Sequence, residues 1–158
     1  MKSNSAPRSS GLTRRSAFTS AGLGLAIAGI GGRSDAAQQT TAERTNVQVV
    51  NDFCAAWPSH DIDRVMSFFA ENCSYRLSET EEPNKGRQAV MDRIKSFFYL
   101  VQNFEVIETF AKGPMVINER HDHFTGGPLK MWHGVGVFFL KEGKIVEWYD
   151  YTISMDRA

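Results

Sequence analysis

Cysteine is scarce in this sequence. The 158 residues contain only two, Cys54 and Cys73. Helical spacing predicts that Cys54 is buried, and strand spacing predicts the same for Cys73. We therefore expect two small buried thiols rather than a disulfide. Neither cysteine has a histidine at a spacing that indicates a nucleophile and its base.

A long hydrophobic run is also lacking. The one extended uncharged stretch, residues 17–30, is too short and too rich in glycine to span a membrane. It follows two adjacent arginines and precedes a small-x-small cleavage pattern at residues 34–36. We predict an export signal over residues 1–36 that resembles the bacterial twin-arginine type. The remaining residues, 37–158, form one domain that we expect to be periplasmic or secreted, with membrane contact only during export.

The predicted exported domain has no cluster of basic residues. Without residues 1–36 the chain keeps 13 basic and 17 acidic side chains, a net charge of −4. Domains that bind nucleic acid are usually basic and carry Lys and Arg on one face. We therefore exclude nucleic acid as a partner.

Helix patterns come first in this domain. Thr40 and Glu43 form a capping box, which marks the start of a helix. Asp61 can cap a second, shorter helix in which Phe69 is the last apolar position. The predicted helices cover about residues 41–57, 62–69 and 87–100.

Strand patterns dominate the rest of the chain. The predicted strands cover residues 73–77, 104–111, 116–124, 129–140 and 145–155, and the polar residues 79–86 are expected to form a loop. Helices followed by an antiparallel meander predict an α+β domain. We expect a curved, mixed but mostly antiparallel sheet with three N-terminal helices over its concave face, which together enclose a cone-shaped pocket.

Two aspartates and an arginine are the leading candidates for a functional site. Arg120 and Asp122 are two residues apart, so a strand directs both side chains to the same face. Asp150 lies on a second strand, which we take to be adjacent. One guanidinium could then hold two carboxylates whose pKa values differ, as one acid and one base in one pocket require. The competing interpretation is a buried ion-pair network that only fixes the sheet.

Three histidines near this site raise the question of a metal site. Strand alternation places His121 and His123 on the face opposite Asp122. His133 lies in the next predicted strand. We expect no carboxylate to complete a ligand set there. Surface or interface histidines are the favoured interpretation, and we predict no metal.

The order of elements comes with a set of short motifs. They are Trp57, Asp61-Ile62-Asp63-Arg64, Phe68-Phe69-Ala70-Glu71-Asn72, Tyr75 and Gly86-Arg87-Gln88-Ala89-Val90. In this order they resemble the SnoaL-like and nuclear-transport-factor-like superfamily of cone-shaped α+β domains. That superfamily contains isomerases, hydrolases, cyclases and binding proteins, so this resemblance implies the fold and not the function.

A narrower resemblance comes from two charged segments. Glu119-Arg120-His121-Asp122 and Trp148-Tyr149-Asp150-Tyr151 resemble the Glu-Arg-x-Asp and Trp-x-Asp-Tyr motifs of limonene epoxide hydrolases, and residues 106–110 and 136–138 are also similar to that family. The resemblance implies that Asp122 protonates the epoxide oxygen, that Asp150 takes a proton from the attacking water, and that Arg120 bridges both. It also implies a vicinal diol product, no cofactor, and a homodimer that uses the face of Tyr149 and Tyr151.

One position departs from that family. The family holds its water with a tyrosine and an asparagine two residues later on the first strand. Tyr75 matches the tyrosine, but Leu77 stands at the asparagine position. Either another polar side chain replaces the asparagine, or the site carries out different chemistry.

Strand alternation also predicts an apolar pocket wall. The residues expected to line it are Leu77, Phe124, Trp132, Gly134 and Trp148. Such a lining suits a small apolar partner, for example a terpenoid, alkene or sterol epoxide. The competing interpretation is that these side chains only fill a core.

Two other functions stay open at this point. A site similar to those of ketosteroid isomerases or polyketide cyclases would use one aspartate to shuttle a proton and a tyrosine or neutral acid to stabilise an enolate. An exported binding protein would hold a hydrophobic ligand in the cone without chemical change.

Overall fold

The structure, a computed structural model, describes residues 38–157. The predicted export signal lies outside these residues. Within them, no helix combines the length and the apolar character that crossing a membrane requires.

The first helix, α1, covers Thr41–Ala56 and begins at the predicted capping box. The backbone N–H of Thr40 donates to the Glu43 carboxylate at 2.7 Å, and the Glu43 N–H donates to the Thr40 hydroxyl at 3.2 Å. Both bonds satisfy N–H groups that a helix start leaves without partners. A 3₁₀ turn over Trp57–Ser59 follows, because Pro58 cannot continue the ladder of α-helical hydrogen bonds.

The other two helices are shorter than the sequence predicts. Helix α2 covers Ile62–Met66, is capped by the Asp61 carboxylate, and ends before Phe69, which begins a strand. Helix α3 covers Arg87–Lys95, and a 3₁₀ turn over Phe98–Leu100 takes the place of its predicted last turn. In both cases apolar residues that fit a helical stripe are buried in another conformation, because tertiary packing overrides weak local preferences.

Six strands form one open sheet. They are β1 Phe69–Arg76, β2 Asn84–Lys85, β3 Val101–Lys112, β4 Met115–Phe124, β5 Leu129–Lys141 and β6 Lys144–Arg157. Their order in the sheet is β2-β1-β6-β5-β4-β3. Only the β1–β6 pair is parallel among the described strands. Residues 79–86 were predicted to form a loop. That prediction is wrong for Asn84 and Lys85, which form strand β2.

The helices pack against one face of the sheet, and this inner face holds the core. Phe53 of α1 contacts the rings of Trp57, Phe69, Phe138 and Trp148, with centroids 5.1–5.8 Å apart. Each such side chain stabilises the fold by about 1.5–3 kcal/mol through burial. The mixed, curved sheet with three helices on its inner face confirms the predicted α+β fold class.

Candidate active site

Arg120 lies between two carboxylates at the centre of the inner face. Its Nη2 donates to Oδ1 of Asp150 at 3.0 Å and to Oδ2 of Asp122 at 3.3 Å. Its Nε lies 2.8 Å from Oδ1 of Asp122, close enough for an ion pair but outside hydrogen-bond geometry. All three residues are buried, and the arginine is 0% exposed. The structure therefore brings together the three charged residues that the sequence singles out.

The two aspartates are not on adjacent strands, which corrects the sequence prediction. Strand β5 lies between β4 and β6. Neighbouring strands are about 4.8 Å apart, so the arginine has to reach across roughly twice that distance. It can do so because β5 presents glycine on its inner face: Gly134 pairs with Arg120, and Gly136 pairs with Asp150. A Cβ on Gly136 would lie 2.5 Å from Nη1 of Arg120.

The two carboxylates differ in the number of donors that they receive. Asp150 accepts hydrogen bonds from Arg120, from Nε1 of Trp148 at 2.8 Å, and from the Tyr75 hydroxyl at 3.5 Å. Among the described residues, Asp122 accepts one hydrogen bond, from Arg120. Donors stabilise the ionised form of a carboxyl group, so Asp150 has the environment of a carboxylate and Asp122 that of a carboxylic acid.

The pKa values follow from burial and from these partners. Burial, with a smaller contribution from the Asp150 charge, raises the pKa of Asp122 from 3.8 to about 7, because the two effects outweigh the attraction of Arg120. Burial raises the pKa of Asp150 as well, but Arg120, Trp148 and Tyr75 oppose that rise. At neutral pH one proton can therefore reside on the cluster, and the donor count favours Asp122 as its holder.

Aromatic rings enclose the arginine. Its guanidinium carbon lies 4.8 Å from the ring centre of Phe104, 5.0 Å from that of Trp132 and 5.6 Å from that of Trp148. Burial alone lowers the pKa of Arg120, but the two aspartates outweigh that effect and raise it, so the guanidinium stays charged. Aromatic faces stabilise such a cation where water is excluded.

The cluster opens into an apolar cavity of about 190 Å³. Among the residues predicted for the wall, the structure places Leu77, Phe124, Trp132 and Trp148 around it, together with Tyr75 and both aspartates. Gly134 is the exception, and its prediction as a wall residue is wrong. It faces inward, but the indole of Trp132 covers the place where its Cβ would be, so the indole forms the wall.

The cavity wall also contains two hydroxyl groups that the strand patterns did not indicate. Ser78 and Thr152 both line it. Thr152 lies two residues after Asp150 on β6 and accepts a hydrogen bond from Nε1 of Trp132 at 3.0 Å, and no acceptor for its own hydroxyl hydrogen is found within residues 38–157. The two-residue spacing from Asp150 is the signal that could have identified Thr152.

The outer face of the same strands carries the histidines, as predicted. However, we expected no carboxylate to complete a ligand set there, and the structure places one carboxylate within reach of two of the histidines. Oε2 of Glu105, on β3, is 2.8 Å from Nε2 of His123 and 3.7 Å from Nδ1 of His121. His133, on β5, is paired with Glu119, with 2.8 Å between Nε2 and Oε1.

The two cysteines lie in the core, and the two outer tyrosines lie on the opposite face of the sheet from the cavity. Cys54 and Cys73 are buried and free. Cys54 donates a weak hydrogen bond to Asn118, and burial raises its pKa to about 12, so it is not a nucleophile at neutral pH. Tyr151 is exposed on the outer face, and Tyr149 hydrogen-bonds Ser74 there. The homodimer stays a prediction.

Solved structures with a similar fold include several enzymes. An LEH-like epoxide hydrolase of M. tuberculosis is 23% identical, with a TM-score of 0.61 over 72% of this chain and 84% of that one. SalBIII, an epoxide hydrolase/cyclase-like enzyme with a role in pyran ring formation in the polyether salinomycin, is 20% identical, with a TM-score of 0.63 over 69% and 91%. A candidate ketosteroid isomerase of Kribbella flavida is 16% identical, with a TM-score of 0.61 over 71% and 80%.

At these identities the likeness supports the fold and leaves the reaction open. These three proteins are described as an epoxide hydrolase, a candidate ketosteroid isomerase and an epoxide hydrolase/cyclase-like enzyme, although their folds are similar. The sequence itself matches the model of the SnoaL-like domain family over residues 50–148, more than half of the chain. The chain therefore belongs to the SnoaL-like domain family.

Proposed function

We propose that this protein is an epoxide hydrolase that opens a compact apolar epoxide to a vicinal diol. The observation that carries the proposal is the unequal surroundings of two buried carboxylates held by one guanidinium. Asp150 has three donors and Asp122 has one, within one cavity. Concerted opening of an epoxide requires a base on one side of the ring and an acid on the other.

The base in this mechanism is Asp150. Its carboxylate accepts a proton from a water molecule while the water oxygen attacks a ring carbon and the carbon–oxygen bond of the epoxide breaks. Arg120, Trp148 and Tyr75 favour the ionised carboxylate against the effect of burial on its pKa, and they fix its direction before the reaction begins. Burial and the Asp150 charge raise the pKa of Tyr75, so the phenol keeps its proton and acts as a donor.

The acid is Asp122. It gives its proton to the epoxide oxygen as the ring opens, which avoids a free alkoxide in an apolar cavity. Each turnover leaves a proton on Asp150 and a charge on Asp122. Return of one proton from Asp150 to Asp122, directly or through solvent, restores the starting state. The guanidinium between them stabilises the single negative charge at either carboxyl group.

Thr152 supplies the polar group that Leu77 lacks. Leu77 lines the cavity and packs against the core, so it cannot hold a water molecule. The Thr152 hydroxyl shares the inner face of β6 with Asp150, its oxygen accepts from Trp132, and its hydrogen has no acceptor among the residues that the structure describes. A water between Asp150 and Thr152 would keep two polar contacts in addition to the phenol of Tyr75.

The cavity also limits the substrate. Its 190 Å³ is smaller than the roughly 300–1,000 Å³ of pockets for drug-sized ligands. Its wall is formed mainly by aromatic and aliphatic side chains, namely Phe97, Phe104, Phe124, Leu129, Trp132 and Met155. A compact terpene or styrene epoxide fits these limits better than a sterol epoxide does.

A second candidate is epoxide opening by a hydroxyl group of the substrate itself. The observation in its favour is Leu77, because a reaction without external water needs no holder for that water. The same acid and base would act, and the product would be a cyclic ether instead of a diol. An isomerase is less well supported, because Tyr75 donates to Asp150 and Arg120 occupies the space between the carboxyl groups.

The test is the turnover of an epoxide panel by the purified full chain. The panel contains terpene, styrene and sterol epoxides, and the products are identified by mass spectrometry. We expect diol formation from a compact epoxide. Asp150→Asn and Asp122→Asn should each lower the turnover number by about 10²–10⁴-fold, the range of general acid or base catalysis.

Substrate affinity provides the control for these variants. Both replacements keep the size of the side chain, so binding measured by equilibrium dialysis should change far less than turnover does. A binding protein would show no turnover before or after the substitutions. If the protein leaves the whole panel unchanged, the hydrolase proposal fails.

A further inference from the structure

The outer face of the sheet carries a second cluster of side chains that the proposed reaction does not use. Glu105 on β3 lies directly opposite His121 on β4, and His123 follows two residues later on the same face. One donor atom of each residue lies within 4.8 Å of the other two. Because alternate residues of β4 point to opposite faces, this cluster is separate from the cavity that holds Asp122.

We propose that Glu105, His121 and His123 bind a divalent transition-metal ion such as Zn²⁺. Zinc binds imidazole nitrogen and carboxylate oxygen at about 2.0–2.2 Å in tetrahedral geometry, which puts donor atoms roughly 3.3–3.6 Å apart. Oε2 of Glu105 is already 3.7 Å from Nδ1 of His121 and 2.8 Å from Nε2 of His123. These two donor–donor distances lie within about 0.5 Å of that range, and the donor atoms of all three residues lie within 4.8 Å of one another.

The side chains can make that adjustment. Glu105 is exposed, and the side chains of His121 and His123 are 29% and 34% exposed, so small rotations meet little packing resistance. The two imidazole rings are 6.3 Å apart and nearly perpendicular, at 83°. Two histidines at a spacing of two on one strand and a carboxylate from the neighbouring strand leave a fourth position open to water.

The donor set also selects the class of ion. Two imidazoles and one carboxylate favour zinc, copper or nickel, whereas magnesium and calcium prefer sites made of oxygen alone. His133 lies beside His121, with ring centres 4.6 Å apart, but its Nε2 is paired with Glu119. We therefore place His133 outside the ligand set.

A calorimetric titration of Zn²⁺ into the full chain, without an affinity tag, tests the proposal. We expect one saturable equivalent per chain. His123→Ala and Glu105→Gln should each weaken binding by more than about tenfold, since loss of a ligand costs at least as much as loss of a residue that supports one. His60→Ala is the matched control, because it removes one of the four histidines of the sequence, and this one packs beside Phe98 and Tyr99 and is not a member of the cluster. It should leave the affinity unchanged.

A second measurement does not depend on variants. Paramagnetic Cu²⁺ or Ni²⁺ at substoichiometric levels should broaden the imidazole NMR signals of His121 and His123 before that of His60. The proposal is overturned if no saturable zinc binding is found, if His60→Ala weakens binding as much as His123→Ala, or if all histidine signals broaden together.

Discussion

Both faces of β4 carry ionisable side chains, but in opposite surroundings. On the inner face, Arg120 and Asp122 are buried among aromatic rings. On the outer face, His121 and His123 share a solvent-exposed glutamate, Glu105. The residues alternate along one strand, so their different chemistry comes from their surroundings and not from their place in the chain.

The pKa shifts show what the surroundings do. The hydrogen bond from His123 is the main reason that the pKa of exposed Glu105 is lowered. Asp122 has a stronger cation beside it, yet burial raises its pKa to about 7. Pairing decides the protonation state where water is present, and loss of solvation decides it where water is excluded. Of Asp122 and Glu105, Asp122 on the inner face is therefore the one suited to act as a carboxylic acid near neutral pH.

The largest difference between the faces should appear when the inner cation is removed. Arg120→Met leaves two buried carboxyl groups without their partner and should lower the free energy of unfolding by about 3–5 kcal/mol. His121→Gln, one residue later on the outer face, should change it by no more than about 0.5 kcal/mol. Urea denaturation at pH 7 in the presence of EDTA measures both. A cost below about 1 kcal/mol for Arg120→Met would show that the cluster is not a buried ion network.

A smaller loss is expected from filling the space that β5 leaves open. Gly136→Ala places a methyl group 2.5 Å from Nη1 of Arg120 and 2.6 Å from the Phe138 ring. Overpacking of this kind costs about 1–3 kcal/mol and should move the arginine away from Asp150. Thermal unfolding and epoxide turnover are the readouts.

Gly127→Ala is the matched control for this substitution. A Cβ on Gly127 meets no atom within 4 Å, and the backbone there is not in the left-handed region. Its unfolding temperature and turnover should equal those of the wild type. If the two substitutions change the unfolding temperature and turnover equally, Gly136 is not required to leave space for Arg120.

The sequence predicts the two faces well and the distance across the sheet poorly. Alternation along β4 is a local property, so the separation of Arg120 and Asp122 from the histidines follows from spacing alone. The position of β5 between the aspartates, and the contact of Glu105 with His123, depend on strand order and register. Those are set by packing of the whole sheet, which a single strand pattern does not contain.

The protonation of Asp122 should appear in the pH dependence of catalysis. Because its pKa rises from 3.8 to about 7, kcat/KM should fall about tenfold per pH unit above that value as the acid loses its proton. The rate should also fall at acidic pH, where Asp150 gains a proton, and the raised pKa of Asp150 puts that limb above 3.8. Measurements in EDTA keep any outer-face metal from contributing. A rate that still increases through pH 8 would contradict the assignment of the acid.

The same pKa predicts how stability changes with pH. The folded state holds a proton on Asp122 at pH values where the unfolded chain has lost it, so this group stabilises the fold at low pH. Its contribution should be lost as pH rises from 3.8 to about 7. Asp122→Asn should flatten that part of the stability profile, whereas Glu105→Gln on the outer face should not.

The smallest effect concerns the holder of the water. Thr152→Val removes one hydroxyl contact and should lower turnover by about 2–10-fold, the usual worth of a hydrogen bond. Thr152→Ser keeps the hydroxyl and should retain most of the activity. Leu77→Asn in the Thr152→Val background should restore turnover, because it places a polar side chain in the cavity wall just after the end of β1. If Thr152→Val does not lower turnover, groups other than Thr152 hold the attacking water.

The most direct test of the account is a single turnover of an accepted epoxide in water labelled with ¹⁸O. If Asp150 activates water while Asp122 protonates the ring oxygen, every diol formed in the first turnover carries one ¹⁸O atom at the attacked carbon. Mass spectrometry of the product and of the protein measures this. A first-turnover product without ¹⁸O would contradict the account, because the new oxygen would then have come from the substrate or from an enzyme carboxylate.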